Sequence, residues 1–221
     1  MSTDRELIDE QIAYYRARAR EYDATSPSPE GDPFADGANA VRDALRAFAA
    51  RGRVIELAAG TGQWTGLLAD VADDLLVTDS SPEMLDLNRE KTGPRDNVRY
   101  EVADALALDP TADRDVVFFG FFLSHVPPTR FDAFWGSVAG LLAPGGRVFF
   151  VDEGRHFLWR EDWVDESAGV VRRPLSDGTS FRAVKVLWTA DELEARLESL
   201  GWDASVQDAT PFYWGTASRV N

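Results

Sequence analysis

Between residues 53 and 151, five short apolar runs alternate with stretches of helical character, and this alternation narrows the possible folds more than any other feature. Apolar runs of this kind predict buried strands, and a helix between successive strands predicts a parallel sheet with right-handed crossovers. Ligands of such sheets bind beyond the carboxyl ends of the strands. The predicted strands are residues 53–57, 75–78, 98–102, 116–121 and 147–151.

The helices that follow these strands begin and end at recognisable signals. Ser81 is a natural N-cap, and Pro82 occupies the first helical position after it. Thr189 and Glu192 form a capping box for a later helix, which Gly201 ends. Further helices are predicted at residues 38–50, 64–71 and 129–142, and further β-structure at residues 181–188, 202–207 and 212–217, the last two as a closing antiparallel arm.

The chain begins with an amphipathic helix. Its apolar residues recur at alternating spacings of four and three, which places them on one stripe of the helix surface. They are Ile8, Ile12, Tyr15, Ala19 and Tyr22. Residues 25–37 are rich in proline and glycine, which predicts a loop after this helix. No segment has the composition of an interdomain linker, so we expect one domain.

The composition excludes several kinds of chemistry and partner. A net charge of −15 would repel the phosphate backbone of a nucleic acid, so a nucleic-acid partner is not expected. The chain has no cysteine, which excludes disulfides, thiolate nucleophiles and cysteine-ligated metals. Its N-terminus is polar and no apolar run approaches the ~18 residues that span a bilayer. We therefore expect a cytoplasmic protein without a membrane partner.

The most informative motif is VIELAAGTGQWT at residues 54–65, in which a strand runs into a glycine-containing turn and then a helix. Gly60 and Gly62 allow the backbone of such a turn to approach a ligand closely, as in nucleotide-binding sites. A dinucleotide fingerprint would place a third glycine where Thr65 stands, so a nicotinamide-dependent oxidoreductase is disfavoured. An ordinary tight turn is the alternative for this segment alone.

Acidic residues follow the next two predicted strands. Asp79 comes seventeen residues after Gly62, where a carboxylate can accept both hydrogen bonds from a ribose diol. The alternative role for Asp79 is to cap the following helix, but Ser81 already fits that role. Asp104 can accept from an exocyclic adenine amine while the Ala105 amide donates to a ring nitrogen. The order of turn, ribose acid and adenine acid along one sheet indicates an adenosyl ligand.

Five segments resemble, in order and spacing, the motifs of class I S-adenosylmethionine (SAM)-dependent methyltransferases: ELAAGTG, TDSSPEML, VADALAL, DVVFFGFFLSHV and LAPGGRVFFVDE. The resemblance covers roughly residues 14–207, and YYRARAREYD is similar to the segment that folds over the cofactor in many small-molecule members. It implies an α/β fold with a doubly wound, mostly parallel sheet of seven strands, the last antiparallel, and an N-terminal helical cap. It also implies SAM as cofactor, S-adenosylhomocysteine (SAH) as product, and a monomer or homodimer.

The resemblance also divides the chain and assigns site residues. We expect one methyltransferase domain at 1–221, with a helical cap at 1–50, a cofactor-binding core at 51–155, and an acceptor side with a C-terminal β arm at 156–221. The implied cofactor-binding residues are Tyr14, Tyr22, Glu56, Ala58, Gly60, Thr61, Gly62, Asp79, Ser80, Met84, Asp104, Ala105, Phe119 and Phe121. One departure is Ala58, which stands where the family has its first glycine.

We expect a small-molecule acceptor, most simply a hydroxyl of a sugar or secondary metabolite. A hydroxyl must lose a proton, and a neutral imidazole is the side chain best suited to accept it near pH 7. His125 follows the fourth strand at the ligand-binding end of the sheet and is the predicted general base. The competing interpretation is a histidine that packs structurally or hydrogen-bonds the adjacent turn at Pro127 and Pro128.

Other interpretations of the acceptor site stay open at this stage. Methylation of an amine or a carboxylate needs no base, and a cofactor-binding module without transfer is a non-enzymatic alternative. The candidate acceptor-binding residues are His156, Arg182 and Lys185. An anionic or polyhydroxylated acceptor could be bound by Arg182 and Lys185 together with Arg172 and Arg173. The alternative is that these residues form a solvated face with ion pairs.

A metal site is not expected from the pair of adjacent acids at the end of the fifth strand. Asp152 and Glu153 would point to opposite faces if the strand continues through them. No metal is therefore predicted.

Overall fold

The five predicted strands form the middle of a seven-stranded sheet in the computed structural model, which describes residues 4–25 and 35–220. The described residues form ten strands: β1 (Arg53–Leu57), β2 (Asp74–Asp79), β3 (Val98–Val102), β4 (Arg114–Gly120), β5 (Leu142–Glu153), β6 (Trp163–Asp165), β7 (Val170–Pro174), β8 (Ser180–Val184), β9 (Trp202–Ala209) and β10 (Phe212–Arg219). The order in the large sheet is β3-β2-β1-β4-β5-β10-β9. β1 to β5 pair in parallel, and β10 lies antiparallel between β5 and β9. This arrangement confirms the expected sheet with its last strand antiparallel.

Within the described ranges, six helices surround the sheet, and three short 3₁₀ turns follow β4 and β5. The helices are α1 (Asp4–Thr25), α2 (Ala35–Phe48), α3 (Thr65–Ala69), α4 (Pro82–Thr92), α5 (Phe131–Leu141) and α6 (Ala190–Ser199). The 3₁₀ turns are Leu123–His125, Pro128–Arg130 and Arg155–Arg160. The predicted caps form as expected: Ser81 accepts from the Met84 amide at 3.2 Å, and Thr189 makes its capping box with Glu192. In the part of the chain that the structure describes, none of the helices has the length and apolar character that crossing a bilayer requires.

Two separate apolar cores lie on the two faces of the sheet, because neighbouring residues of a strand point to opposite sides. Phe118 packs in the core on the face of α2 and α3, where its ring stacks on Phe149 at 6.0 Å. Phe119 packs in the core on the face of α5 and α6, where it stacks on Phe150 at 5.7 Å. β4 is therefore buried on both sides, as a central parallel strand should be, and its end is held rigidly where ligands bind.

Residues 163–184 contain a sheet that the sequence did not predict. β6, β7 and β8 form a three-stranded antiparallel sheet, whereas no strand was predicted between residues 152 and 180. The predicted strand at 181–188 is also shorter, since β8 ends at Val184. Most side chains of these strands are exposed or only partly buried, so they lack the apolar runs that reveal β1, β2, β4 and β5.

Helix α1 crosses the carboxyl-terminal edge of the large sheet and is fixed at both sides. Glu10 forms an ion pair with Arg182 of β8 at 2.6 Å. Arg16 forms another with Glu83 of α4 at 3.2 Å, and the Arg16 guanidinium holds the pKa of that carboxyl at about 2. The helix therefore connects the small sheet to the cofactor side of the large one.

Helix α2 begins earlier than predicted. Residues 26–34, most of the predicted loop at 25–37, lie outside the described residues. α2 already starts at Ala35, and Gly37 within it approaches the turn between β9 and β10. A Cβ at Gly37 would lie 2.5 Å from the Ala209 carbonyl oxygen, so the glycine serves close packing here rather than a turn.

Candidate active site

A cavity of about 880 Å³, part of it open to solvent, lies at the carboxyl ends of β1, β2 and β4. Helix α1 forms one wall, and most of its predicted apolar stripe faces inward, including Ile8, Ile12, Tyr15 and Tyr22. The opposite wall consists of the loops that follow the strands. Of the residues predicted to bind the cofactor, the lining includes Tyr22, Ala58, Gly60, Thr61, Asp79, Ser80, Met84, Asp104, Ala105 and Phe121.

Asp79 joins the glycine turn to the start of α4. One carboxylate oxygen accepts from the Gly60 amide at 2.9 Å, and the other accepts from the Ser81 amide at 2.8 Å. The side chain lies in the cavity wall with 8% exposure, and this burial raises its pKa. Each oxygen keeps a second acceptor position, so the carboxylate can still bind a pair of hydroxyl groups.

Gly62 does not line the cavity but allows α4 to approach the turn. Its φ is +87°, and a Cβ there would lie 2.7 Å from Oδ1 of Asn88. The Asn88 amide donates to the Gly60 carbonyl at 3.3 Å and to the Thr65 hydroxyl at 2.9 Å. Sequence reasoning missed Asn88, since a buried asparagine in a helix carries no signal of its own.

Two buried polar atoms near the turn have no hydrogen-bond partner among the described residues. One is Oε1 of Glu56, a side chain only 1% exposed whose other oxygen accepts from the Thr65 hydroxyl at 2.7 Å. Burial raises the pKa of Glu56 to about 8. The other is the indole N–H of Trp64, a cavity-lining residue that sequence reasoning did not single out. A buried acceptor and a buried donor without partners indicate that a ligand completes this region.

The far end of the cavity lies between α4 and the loop after β3. Met84 is almost fully buried at the first turn of α4. Asp104 accepts from the Leu106 amide at 2.9 Å, which fixes its carboxylate, and Ala105 lines the wall beside it. This end therefore offers an apolar surface and a fixed carboxylate, as predicted for an adenine site.

Phe119, which the resemblance places at the cofactor through its backbone, stays a predicted contact. Its ring is fully buried in the core with Phe134 and Trp135, and the residue does not line the cavity. Phe121, two residues later, lines the cavity instead and has a φ of +56°. Left-handed backbone is costly for a phenylalanine, so the packing around the end of β4 must hold it there.

A second cavity of about 1520 Å³, also partly open, adjoins the first. Tyr14 belongs to this cavity rather than to the first one. The residues that line both cavities are Tyr15, Tyr22, Gln63, Phe121 and His125. These five side chains mark the place where a ligand in one cavity would meet a ligand in the other.

His125 is held at this junction by two hydrogen bonds. Its Nδ1 lies 2.8 Å from the Val184 carbonyl oxygen, and its Nε2 lies 2.7 Å from the Tyr15 hydroxyl. The ring is 7% exposed, and burial together with the Lys185 cation lowers its pKa well below 6.5. The imidazole is therefore neutral at pH 7. The two ring hydrogen bonds go to Tyr15 and Val184 rather than to the Pro127 turn, and a structural role for the buried ring stays the alternative to catalysis.

Cationic side chains gather around the second cavity of this otherwise acidic protein. Lys185 is 3% exposed, and its ammonium lies 2.5 Å from the Glu153 carboxylate and 3.1 Å from the Ser124 hydroxyl. Arg173 lies 2.5 Å from Glu161. Four cations and three acids line the cavity in all: Arg18, Arg160, Arg173 and Lys185, with Glu21, Glu153 and Glu161.

The other basic residues predicted near the acceptor lie elsewhere. Arg182 is bound by Glu10 through the ion pair described above, and His156 is exposed on the 3₁₀ turn that follows β5. Neither lines either cavity. Arg172 is exposed near Asp162, in the solvated arrangement that was the alternative for this segment. Since side chains alternate along a strand, Arg173 faces the cavity and its neighbour does not.

The two acids at the end of β5 have different partners. Asp152 is fully buried and accepts from the Ser124 and Glu153 amides at 2.8 and 2.7 Å. It thereby fixes the start of the 3₁₀ turn that carries His125. Across residues 4–25 and 35–220, no three His, Cys, Asp or Glu side chains are grouped as a metal site would need.

Comparison with known proteins identifies relatives of this arrangement. A family model of the methyltransferase domain matches residues 54–146. DhpI in complex with SAM and HEP superposes with a TM-score of 0.84 at 42% identity, over 98% of this chain and 100% of that chain. The DhpI complex with SAH gives a TM-score of 0.83 at the same identity, over 98% of both chains.

Curated relatives match over shorter stretches. An uncharacterised methyltransferase of Mycobacterium tuberculosis is 34% identical over 134 residues, which is 61% of this chain and 51% of that protein. Phosphoethanolamine N-methyltransferase 1 of Arabidopsis thaliana is 27% identical over 106 residues, which is 47% of this chain and 22% of the enzyme. The chain therefore spans about half the length of the first of these relatives and less than a quarter of the second.

The first cavity fits SAM on observations of its own. No atom lies within 4 Å of the position of a Cβ at Gly60, so the turn leaves open space beside its backbone. The unpartnered carboxyl oxygen of Glu56 and indole N–H of Trp64 suit the ammonium and carboxylate of an amino acid. Asp79 and Asp104 offer acceptors for hydroxyl and amine groups. Because the identity to DhpI extends along both whole chains, this protein belongs to the class I SAM-dependent methyltransferases, and SAM is its cofactor.

Proposed function

We propose that the protein transfers the methyl group of SAM to a hydroxyl group of a small molecule, with His125 as the general base. The observation that carries this proposal is the position of His125 in the wall shared by the two cavities. Its lowered pKa supports the role, because the ring is in its basic form at pH 7. We also propose that α1 and α2 act as the cap, and residues 156–220 as the acceptor side, of a single domain.

When bound, SAM supplies a methyl group on a positively charged sulfur that leaves as a neutral thioether, so alignment and exclusion of water can provide much of the rate. Residues on both walls of the first cavity can align SAM and exclude water. Glu56, Trp64 and Asp79 would hold the cofactor, and α1 closes its cavity from solvent. Phe121 and Tyr22 would shape the passage between the two sites.

The second cavity supports a small acceptor that carries an anionic group beside its hydroxyl. Four cationic and three acidic side chains line it, so a singly charged anion would balance the cavity. Of the cations of this cavity, Arg173 lies on β7 of the small sheet and Lys185 directly follows β8. The DhpI complex that contains both SAM and HEP supports a site for a second ligand beside the cofactor.

The test is turnover of SAM to SAH with a panel of hydroxylated acceptors, with and without a carboxylate or phosphate group. We expect His125→Ala to lower kcat by roughly 10²-fold or more, while calorimetry shows nearly unchanged SAM affinity. His156→Ala is the matched control, because this exposed histidine lies outside both cavities. Unchanged turnover in His125→Ala would remove His125 from the mechanism.

A second candidate function is methyl transfer to an anionic oxygen such as a carboxylate. It is favoured by the cations of the second cavity and by the fact that both ring nitrogens of His125 already have partners. A carboxylate needs no base, so His125→Ala would then reduce turnover little. If acceptors of neither kind release SAH, the alternative of a cofactor-binding module without transfer would hold.

A further inference from the structure

The ring of His125 has no nitrogen left to bind an acceptor directly. A carbonyl oxygen can only accept, so the Nδ1 that contacts Val184 must carry the proton. Nε2 is then the unprotonated nitrogen, and it accepts from the Tyr15 hydroxyl at 2.7 Å. Gln11 fixes this geometry further, since its amide donates to the His125 carbonyl at 3.1 Å and accepts from the Val184 amide at 2.9 Å.

Tyr15 stands between His125 and the space where an acceptor would bind. It lines both cavities and is only half-buried. Its ring is held by edge-to-face contacts with Tyr14 at 4.9 Å and with His125 at 5.3 Å. A phenol hydroxyl can donate one hydrogen bond while it accepts another. An acceptor hydroxyl can therefore donate to Tyr15 while Tyr15 still donates to Nε2.

We propose that Tyr15 is a catalytic residue that receives the acceptor's proton and passes its own proton to His125. This inference rests on the proposed function, because it concerns the route to the same base. The acceptor O–H bond breaks and its proton moves to Oη of Tyr15, while the phenolic proton moves to Nε2 and gives an imidazolium. The electron pair left on the acceptor oxygen forms the bond to the methyl carbon, and the carbon–sulfur pair stays with sulfur.

The charged groups around Tyr15 and His125 favour only a brief protonation of His125. Lys185 directly after β8, Arg173 of β7 and Arg18 of α1 face the ring, and Glu153 at the end of β5 is paired with Lys185. Burial and these cations lower the pKa of His125, and burial raises the pKa of Tyr15 well above 10. Both groups are therefore neutral before the reaction. The imidazolium loses its proton readily afterwards, which restores the starting state.

The decisive variant is Tyr15→Phe, which removes the hydroxyl and keeps the ring. We expect kcat at saturating SAM to fall by roughly 10²-fold, with SAM affinity by calorimetry within a few-fold of the unsubstituted protein. The matched control is Tyr213→Phe. Tyr213 is buried and lines neither cavity, and its hydroxyl has no hydrogen-bond partner among the described residues. The control should keep its turnover.

Nitrogen-15 NMR of the imidazole gives a readout that does not depend on activity. The chain has two histidines, so the signals of His125 are identified by their loss in His125→Ala. We expect Nε2 of His125 to resonate as an unprotonated nitrogen and to shift in Tyr15→Phe, where its donor is gone. The same signal should stay in place in Tyr213→Phe. A protonated Nε2 in the unsubstituted protein would overturn the proposal.

The two variants together separate this inference from the proposed function. Loss of turnover in both Tyr15→Phe and His125→Ala supports the transfer through Tyr15. If Tyr15→Phe keeps or gains turnover while His125→Ala loses it, the acceptor reaches Nε2 directly, and only the role of Tyr15 is overturned. If His125→Ala keeps its turnover, the proposed base is overturned and the relay with it.

Discussion

Ala58 adopts a left-handed backbone conformation in the turn after β1, with a φ of +49°. Left-handed conformation costs an L-residue with a Cβ roughly 1–2 kcal/mol, and glycine avoids this cost. We expect Ala58→Gly to raise the free energy of unfolding by up to about 1 kcal/mol, which moves the Tm by roughly 2–4 °C in a chain of this size. Thermal unfolding of the protein without cofactor measures the effect.

The neighbouring alanine provides the control for this change. Ala59 does not have a positive φ, so Ala59→Gly gains no relief and adds freedom to the unfolded chain. It should lower the free energy of unfolding by about 0.4–1 kcal/mol. Opposite signs in the two variants would show that the turn keeps the glycine-like backbone of its relatives despite the alanine. A loss of stability in both would contradict the strain assigned to Ala58.

Helix α1 depends on Gln11 for its attachment to the small sheet. The side chain of Gln11 bridges two buried backbone groups, the His125 carbonyl and the Val184 amide. Gln11→Ala leaves both unpaired, which costs roughly 1–3 kcal/mol. Because α1 forms one wall of the cofactor cavity, we expect SAM to bind about tenfold more weakly. Calorimetry measures this change, and limited proteolysis should show faster cleavage within α1.

Gln207→Ala is the corresponding control, since Gln207 is exposed on β9 and donates to the Ser205 hydroxyl. It should bind SAM as the unsubstituted protein does. Equal SAM affinity in the two variants would mean that α1 stays in place without Gln11. The cofactor cavity would then depend on the ion pairs of α1 instead.

The elements differ in how well the sequence predicts them, and burial explains the difference. The inner strands β1, β2, β4 and β5 are apolar because both faces are covered, so their runs are visible in the sequence, and Asp79 follows from its position at the end of β2. The residues of β6 to β8 are mostly exposed or only partly buried and give no such pattern. The contact of Tyr15 with His125 spans 110 residues, and no local pattern encodes it.

At the scale of the whole molecule, charge is distributed unevenly. The chain carries a net charge of −15, yet the second cavity is lined by more cations than acids. Lys185 and Arg173 are each placed beside a carboxylate, so their burial is compensated within the protein. A small anion would therefore be attracted by the excess of positive charge in the second cavity. The negative net charge of the chain would disfavour nonspecific binding of anions elsewhere.

SAM should stabilise the whole molecule, because its cavity joins α1 to the loops of the large sheet. A ligand at 100 times its Kd adds about 2.7 kcal/mol to the free energy of unfolding. For a chain of this length we expect the Tm to rise by roughly 5–10 °C.

Asp79→Ala should abolish most of this rise, since Asp79 both faces the cavity and holds the Gly60 amide. Asp208→Ala is the control: it also removes a carboxylate that accepts from a backbone amide, but at the exposed end of β9, so the rise with SAM should persist. A full rise in Asp79→Ala would show that the adenosyl group is held without this carboxylate.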